Sequence, residues 1–258
     1  MKKVLYFFIA SFTLMFTACI DTEEKTVINE NGSGDFSIAM DMGKMIAALK
    51  QMGQGDKKMG KKDTVIYFKS FVDTSTSLTA PEKEMLRDGK LSMKIDEDND
   101  EMKIVLENPF KKLEQLAYLK ENLPKMMEKI KPVDKTPGDS PFGGEAMGGN
   151  GGSQSLKVNP VQDLYKFSST PTSMSYKLIN KEKALEQIAS DPNMASIKQM
   201  GSMMGDMMYT TIIILPRPAT KVEGTNAKLS VDKKTLTVKA NITEVLDKPE
   251  LLEYLVEF

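Results

Sequence analysis

The chain has 258 residues, with 20 methionines, one cysteine, no histidine, no tryptophan and a formal net charge of −1. Without histidine the commonest general base and metal ligand at neutral pH is missing, a catalytic triad of the usual kind cannot be built, and a single cysteine allows no intramolecular disulfide. The balanced charge supplies no large basic field, which argues against nucleic acid as a partner.

The first stretch has three parts. Lys2 and Lys3 form a basic end, residues 4–16 form an apolar run interrupted by Ser11 and Thr13, and the small residues Thr17 and Ala18 stand before Cys19. The run is too short for a comfortable membrane span, so 1–18 reads as a targeting segment. Phe16-Thr17-Ala18-Cys19 resembles the lipobox of bacterial lipoproteins, with Phe16 in place of the usual aliphatic residue. The resemblance implies cleavage before Cys19, acylation of that cysteine and a membrane as partner through the N-terminal lipid. It places the protein in the bacterial cell envelope, on the outer membrane facing either the periplasm or the cell surface. The acidic residues Asp21, Glu23 and Glu24 resemble the surface-export signal of Bacteroidota-type lipoproteins, and residues 19–25 are read as the lipidated cysteine and a polar spacer. Cleavage leaves roughly 240 residues with a charge of about −3, enough for one large domain or two small ones.

A first α+β half is expected over 26–130. Alternation on both sides of Asn31-Gly32 predicts a hairpin. Met42, Met45, Ile46, Leu49 and Met52 then recur at helical spacing, with Asp41 as cap. The basic stretch 57–62 reads as a solvated bend, and the β-branched run 63–68 as a strand buried on both faces. Thr79-Ala80-Pro81-Glu82 carries a capping box that starts a short helix. Alternation over 91–95 and 102–106 predicts a second hairpin around the acidic turn 96–100. That turn lacks the central glycine and distal glutamate of an EF-hand and reads as solvated. Residues 111–130 predict one or two amphipathic helices broken near Pro124.

Residues 131–155, rich in Gly and Pro, read as a flexible linker. The second α+β half, 156–258, opens with a hairpin around Pro171 and a helix capped by Asn180. A helical stretch over 194–208, a strand over 210–215, alternation at 227–238 and a helix capped by Asn241 follow. The order hairpin, helix, strand, hairpin, helix occurs in both halves and suggests internal duplication. The expected fold class is α+β, antiparallel sheets with helices on one face.

Methionine is the strongest chemical bias. Met194, Met200, Met203, Met204, Met207 and Met208 gather in one helical stretch, Met40, Met42, Met45, Met52 and Met59 gather in another, and Met203, Met204, Met207 and Met208 would stand on adjacent turns. Three readings stay open: flexible core filler, a soft apolar groove for a lipid or an envelope protein, and a thioether site for Cu(I). The two arginines are Arg87 and Arg217, and Arg217 between two prolines reads as a turn residue or a carboxylate or phosphate contact. Paired carboxylates leave a hydrolase as a third class, disfavoured because few aromatic residues are present to stack on a sugar. The expected product is a non-catalytic lipoprotein without cofactor, with a binding or envelope-structural role.

Overall fold

The computed structural model describes residues 20–51, 60–129 and 159–258. The targeting segment, Cys19, residues 57–59 of the basic stretch 57–62 and the linker at 131–155 lie outside these residues; the end of that stretch, Lys61 and Lys62, is strand and not a bend. Within them the chain is an α+β fold with two sheets and interspersed helices.

The larger sheet has eight strands in the order β10-β11-β8-β1-β2-β5-β4-β3. They are β1 (Ile20–Ile28), β2 (Gly34–Asp41), β3 (Lys61–Tyr67), β4 (Lys90–Asp96), β5 (Glu101–Phe110), β8 (Met207–Ile214), β10 (Ala227–Leu229) and β11 (Thr235–Asn241). The smaller sheet, β6-β7-β12-β9, contains β6 (Tyr165–Thr170), β7 (Ser173–Leu178), β9 (Lys221–Glu223) and β12 (Tyr254–Glu257). All pairings are antiparallel except β1 with β8, where Ile20 stands beside Met207 and Val27 beside Ile214. That parallel seam joins strands from both halves of the chain in one sheet. The second half divides its strands between the two sheets, whereas those of the first half all lie in the larger one.

The hairpin at Asn31-Gly32 forms as expected. Asn29 N–H donates to Ser33 O, and Gly32 takes a positive φ of 80° that an L side chain rarely adopts. Asp41 Oδ1 accepts from Gly43 N–H at 3.1 Å at the start of α1 (Gly43–Gln51). The acidic turn between β4 and β5 closes through a single 3₁₀ turn and Asp100 in the left-handed region.

Four further expectations need correction. Residues 20–25 are not a spacer but the first part of β1, because their alternation is hidden by a polar inward face, Thr22, Glu24 and Thr26. The β-branched run of β3 is an edge strand with exposed Val65 and Tyr67, since composition does not distinguish edge from centre. Pro124 does not break its helix: α4 (Leu113–Lys129) runs through it. Finally, the helix begun near Met194 ends at Met204, and Gly205, at φ 92°, turns the chain into β8.

Helix α2 (Lys69–Thr74) and strand β9 had no clear periodic signal. Helix α3 (Ala80–Leu86) follows its capping box, and α5 (Lys181–Ser190), α6 (Pro192–Met204) and α7 (Ile242–Val245) complete the helices that place the site. Inward residues of the large sheet, including Phe36, Ile38, Leu91 and Ile104, form one core with Leu116, Leu119, Met126 and Met127 of α4 and with Met174 and Val256 of the small sheet. Helix α4 and the small sheet thus pack against the same face of the large sheet.

Glu82 closes the capping box and also bridges two helices. Its carboxylate accepts from Thr79 N–H at 2.8 Å and pairs with Lys129 Nζ at 2.7 Å. The Lys129 ammonium, then the Thr79 amide, hold the Glu82 carboxyl down at about 2 against the opposing effect of burial. Because the unfolded value is near 4.3, this contribution is complete above that value and is lost as pH falls through about 2. Glu82→Gln is expected to cost about 2 kcal/mol at pH 7, with Lys129 partly exposed and screened. Urea midpoints compared at pH 7 and pH 3 check it: the gap between variant and wild type should narrow at the lower pH.

Candidate functional site

The inward face of β1 brings a polar stripe into the interior. Thr22, Glu24 and Thr26 alternate inward, and the parallel register sets Tyr209 and Thr211 of β8 beside them on the same face. Above the stripe lies the seam between α4 and the small sheet. Lys120 occupies the apolar stripe of α4, four residues after Leu116 and three before Leu123, so its side chain is directed at the sheet.

Lys120 pairs with Glu24, and the two side chains are only 7% and 11% exposed. Tyr209 donates its hydroxyl to the other Glu24 oxygen at 2.9 Å. The ammonium lies 4.3 Å from the centre of the Phe167 ring, with Phe36 and Tyr176 each at 5.9 Å, so cation–π attraction supplements the ion pair. Tyr176 stacks on Tyr165 at 4.5 Å and neighbours Tyr254 at 6.0 Å. The hydroxyl of Thr26 is buried with no hydrogen-bond partner among the described residues, and that of Tyr254 faces the Lys120 ammonium.

Burial opposes the charge on Lys120, but the Glu24 carboxylate and the facing Tyr254 hydroxyl outweigh it and raise its pKa. The lysine is therefore a fixed cation at neutral pH and a poor nucleophile. Burial, reinforced by the Glu24 charge, pushes Tyr176 and Tyr209 well up, so both remain neutral hydrogen-bonding groups. Burial lifts Tyr254 to about 12.

Two cavities meet at the ion pair. One is a narrow apolar slot of about 40 Å³ between α4 and the sheet, lined by Phe36, Met40, Leu106, Leu123, Pro124 and Met127. The other, about 330 Å³, is a polar vestibule towards β6 and β7 that includes Asp163, Lys166 and Tyr176. Glu24, Lys120, Asn159, Gln162 and Tyr209 line both. Pro124 has no N–H to give the Lys120 carbonyl one turn earlier, which loosens α4 where it crosses the slot.

Of the methionines gathered near the start of β8, Met200, Met207 and Met208 border neither cavity. Met207 packs into a smaller core with Tyr209, Ala240, Ile242 and Val245, and Met200 is 37% exposed on α6. Met203 and Met204 end α6, and their side chains lie outside the described part. Met207 and Met208 alternate along β8 and point to opposite faces. The arrangement of four thioethers on adjacent helical turns is therefore not formed. Met40, from the other methionine-rich stretch, and Met127 line the slot. No cluster of three or more histidine, cysteine, aspartate or glutamate residues suited to a metal occurs among the described residues. Arg217 lies 5.9 Å from the centre of the Phe258 ring.

The pair itself left two traces in the sequence: a lysine inside an apolar helical stripe, and a glutamate in the period-two pattern Thr22, Glu24, Thr26, Ile28. Neither trace identifies the other residue. No family model, curated protein or solved structure matches the chain.

Proposed function

We propose that the chain is a lipoprotein of the bacterial envelope, anchored through an acylated Cys19, with a non-catalytic role in binding one amphipathic molecule. The reading rests on the junction at Glu24 and Lys120, where a Met-bordered apolar slot opens into a polar, tyrosine-lined vestibule. The acyl chain enters the slot and the polar head stays in the vestibule. At about 40 Å³ the slot must widen to admit a chain, and the unbranched side chains of Met40 and Met127 allow this by changing rotamer. A Lys120 ammonium held charged at neutral pH by Glu24 favours binding over nucleophilic catalysis. In the same proposal the two halves descend from one duplicated unit, supported by their shared element order and followed by divergence in sheet assignment.

The test is extraction of the protein from its own membranes with mass analysis of what co-purifies, joined to titration with a fluorescent fatty acid. Met127→Trp and Met40→Phe, which fill the slot from opposite sides, are each expected to weaken probe binding at least about tenfold, the loss of roughly 1.4 kcal/mol. Undiminished affinity in both folded variants, or no binding by the wild type, would remove this reading.

A further inference from the structure

We infer that the body rests directly on the bilayer, with the end of the large sheet that holds the start of β1 against the phospholipid headgroups and the Asn31-Gly32 turn facing away. The inference rests on the proposed acylation of Cys19. The decisive observation is that no spacer separates the two: β1 begins at Ile20, paired to Met207 of β8 and near the middle of an eight-stranded sheet. Cys19 is joined to Ile20 by one peptide bond, a Cα–Cα step of about 3.8 Å. A diacylglyceryl group on its sulfur would therefore leave no slack between lipid and fold. A body on a long tether tumbles above the membrane; here the start of β1 is held within a side-chain length of it.

The chemistry of that end sets how deep the body sits. Asp21 and Lys44 approach to 3.7 Å, Lys50 and Asp100 to 2.5 Å, and Lys61 and Asp96 to 3.1 Å. By the antiparallel registers, Asp21 pairs with Asp41 and Lys61 with Asp96, which puts all three ion pairs at one end of the strands. Paired, half-exposed charges belong at the level of hydrated headgroups and not in hydrocarbon. Asp41 and Asp98 at the same end add negative charge to these pairs, so contact does not draw on anionic lipid. The partner is thus the zwitterionic headgroup layer itself, held in contact by the anchor. The far end of β1 lies about 27 Å higher, at nine residues of strand. There the hairpin turn, Lys112 and Arg217 border an open cleft of about 710 Å³ that this orientation turns outward.

The experiment uses the full-length, acylated protein in phosphatidylethanolamine vesicles carrying a headgroup nitroxide lipid. A fluorophore is placed at Lys44→Cys or at Glu30→Cys, both on exposed positions, and acylation of Cys19 is read separately from the mass of the N-terminal peptide. Quenching at position 44 is expected to exceed that at position 30 roughly threefold, given the strand-length separation, and not to rise when anionic lipid is added. Inserting twelve Gly and Ser residues between Cys19 and Ile20 is expected to abolish the difference. Equal quenching at both positions in acylated protein overturns the orientation alone, and a difference that survives the insertion overturns the short link to the lipid as its cause. A peptide mass without lipid overturns the anchored reading and the orientation together.

Discussion

Lys120→Met is expected to destabilise the fold by about 3–5 kcal/mol, because it leaves the Glu24 carboxylate buried without its counter-charge. The cost arises from the deserted charge more than from the lost attraction. Glu24 would retain the Tyr209 hydroxyl at 2.9 Å, one neutral donor for an anion that is 11% exposed. The double variant Glu24→Gln/Lys120→Met is accordingly expected to recover most of the loss, to within about 1–2 kcal/mol of wild type, and a double-mutant cycle in urea measures the coupling. A single-variant cost below about 1 kcal/mol would mean that water reaches the pair and that the seam between α4 and the small sheet is open. The pH dependence has a definite sign. Lys120 is raised above its unfolded value, so its contribution is complete below about pH 10.4 and declines as pH rises through the folded value. Wild type should show that alkaline loss and the double variant should lack it.

Gly34→Ala is the second large effect, with an expected cost of about 3 kcal/mol or more. A Cβ on Gly34 would stand 1.8 Å from the Val27 carbonyl oxygen and 2.6 Å from the tip of the Phe110 ring. The carbonyl belongs to β1, held on its other side by β8, and cannot move without breaking that pairing. Phe110 is 3% exposed and has no room to turn. Gly32→Ala, two residues earlier, meets nothing within 4 Å and suffers only the strain of a positive φ, about 1 kcal/mol. Thermal midpoints of the two variants separate the close approach from the backbone conformation.

Much of the local structure was legible because short-range chemistry decides it. The Asn31-Gly32 turn, the Thr79–Glu82 box and the Asn180 and Asn241 caps each rest on atoms two or three residues apart. What was not legible depends on distant residues. The stretch 20–25 reads as a polar spacer until β8 and α4 supply the hydroxyl and the ammonium that make an inward Glu24 tolerable. Similarly, helical spacing of methionine runs past Met204, and a single glycine conformation at 205 decides that Met207 and Met208 belong to a strand. Of the cavity-lining methionines, Met40 belongs to a methionine-rich stretch visible in the sequence, whereas Met127 looks like an ordinary core position on its helix, and only the crossing of α4 over β2 and β5 brings the two to one slot.

The parallel seam between β1 and β8 also governs the timing of assembly. The strand nearest the N-terminus obtains one of its two neighbours only from residues 207–214, so loop closure across most of the chain precedes completion of the central sheet. Until then β1 is an open edge, able to pair with the wrong strand. A nascent chain that emerges N-terminus first must hold its first strand in waiting until its last quarter arrives. Folding of this protein should consequently be slow and post-translational, and any truncation ahead of residue 207 should expose a strand that aggregates.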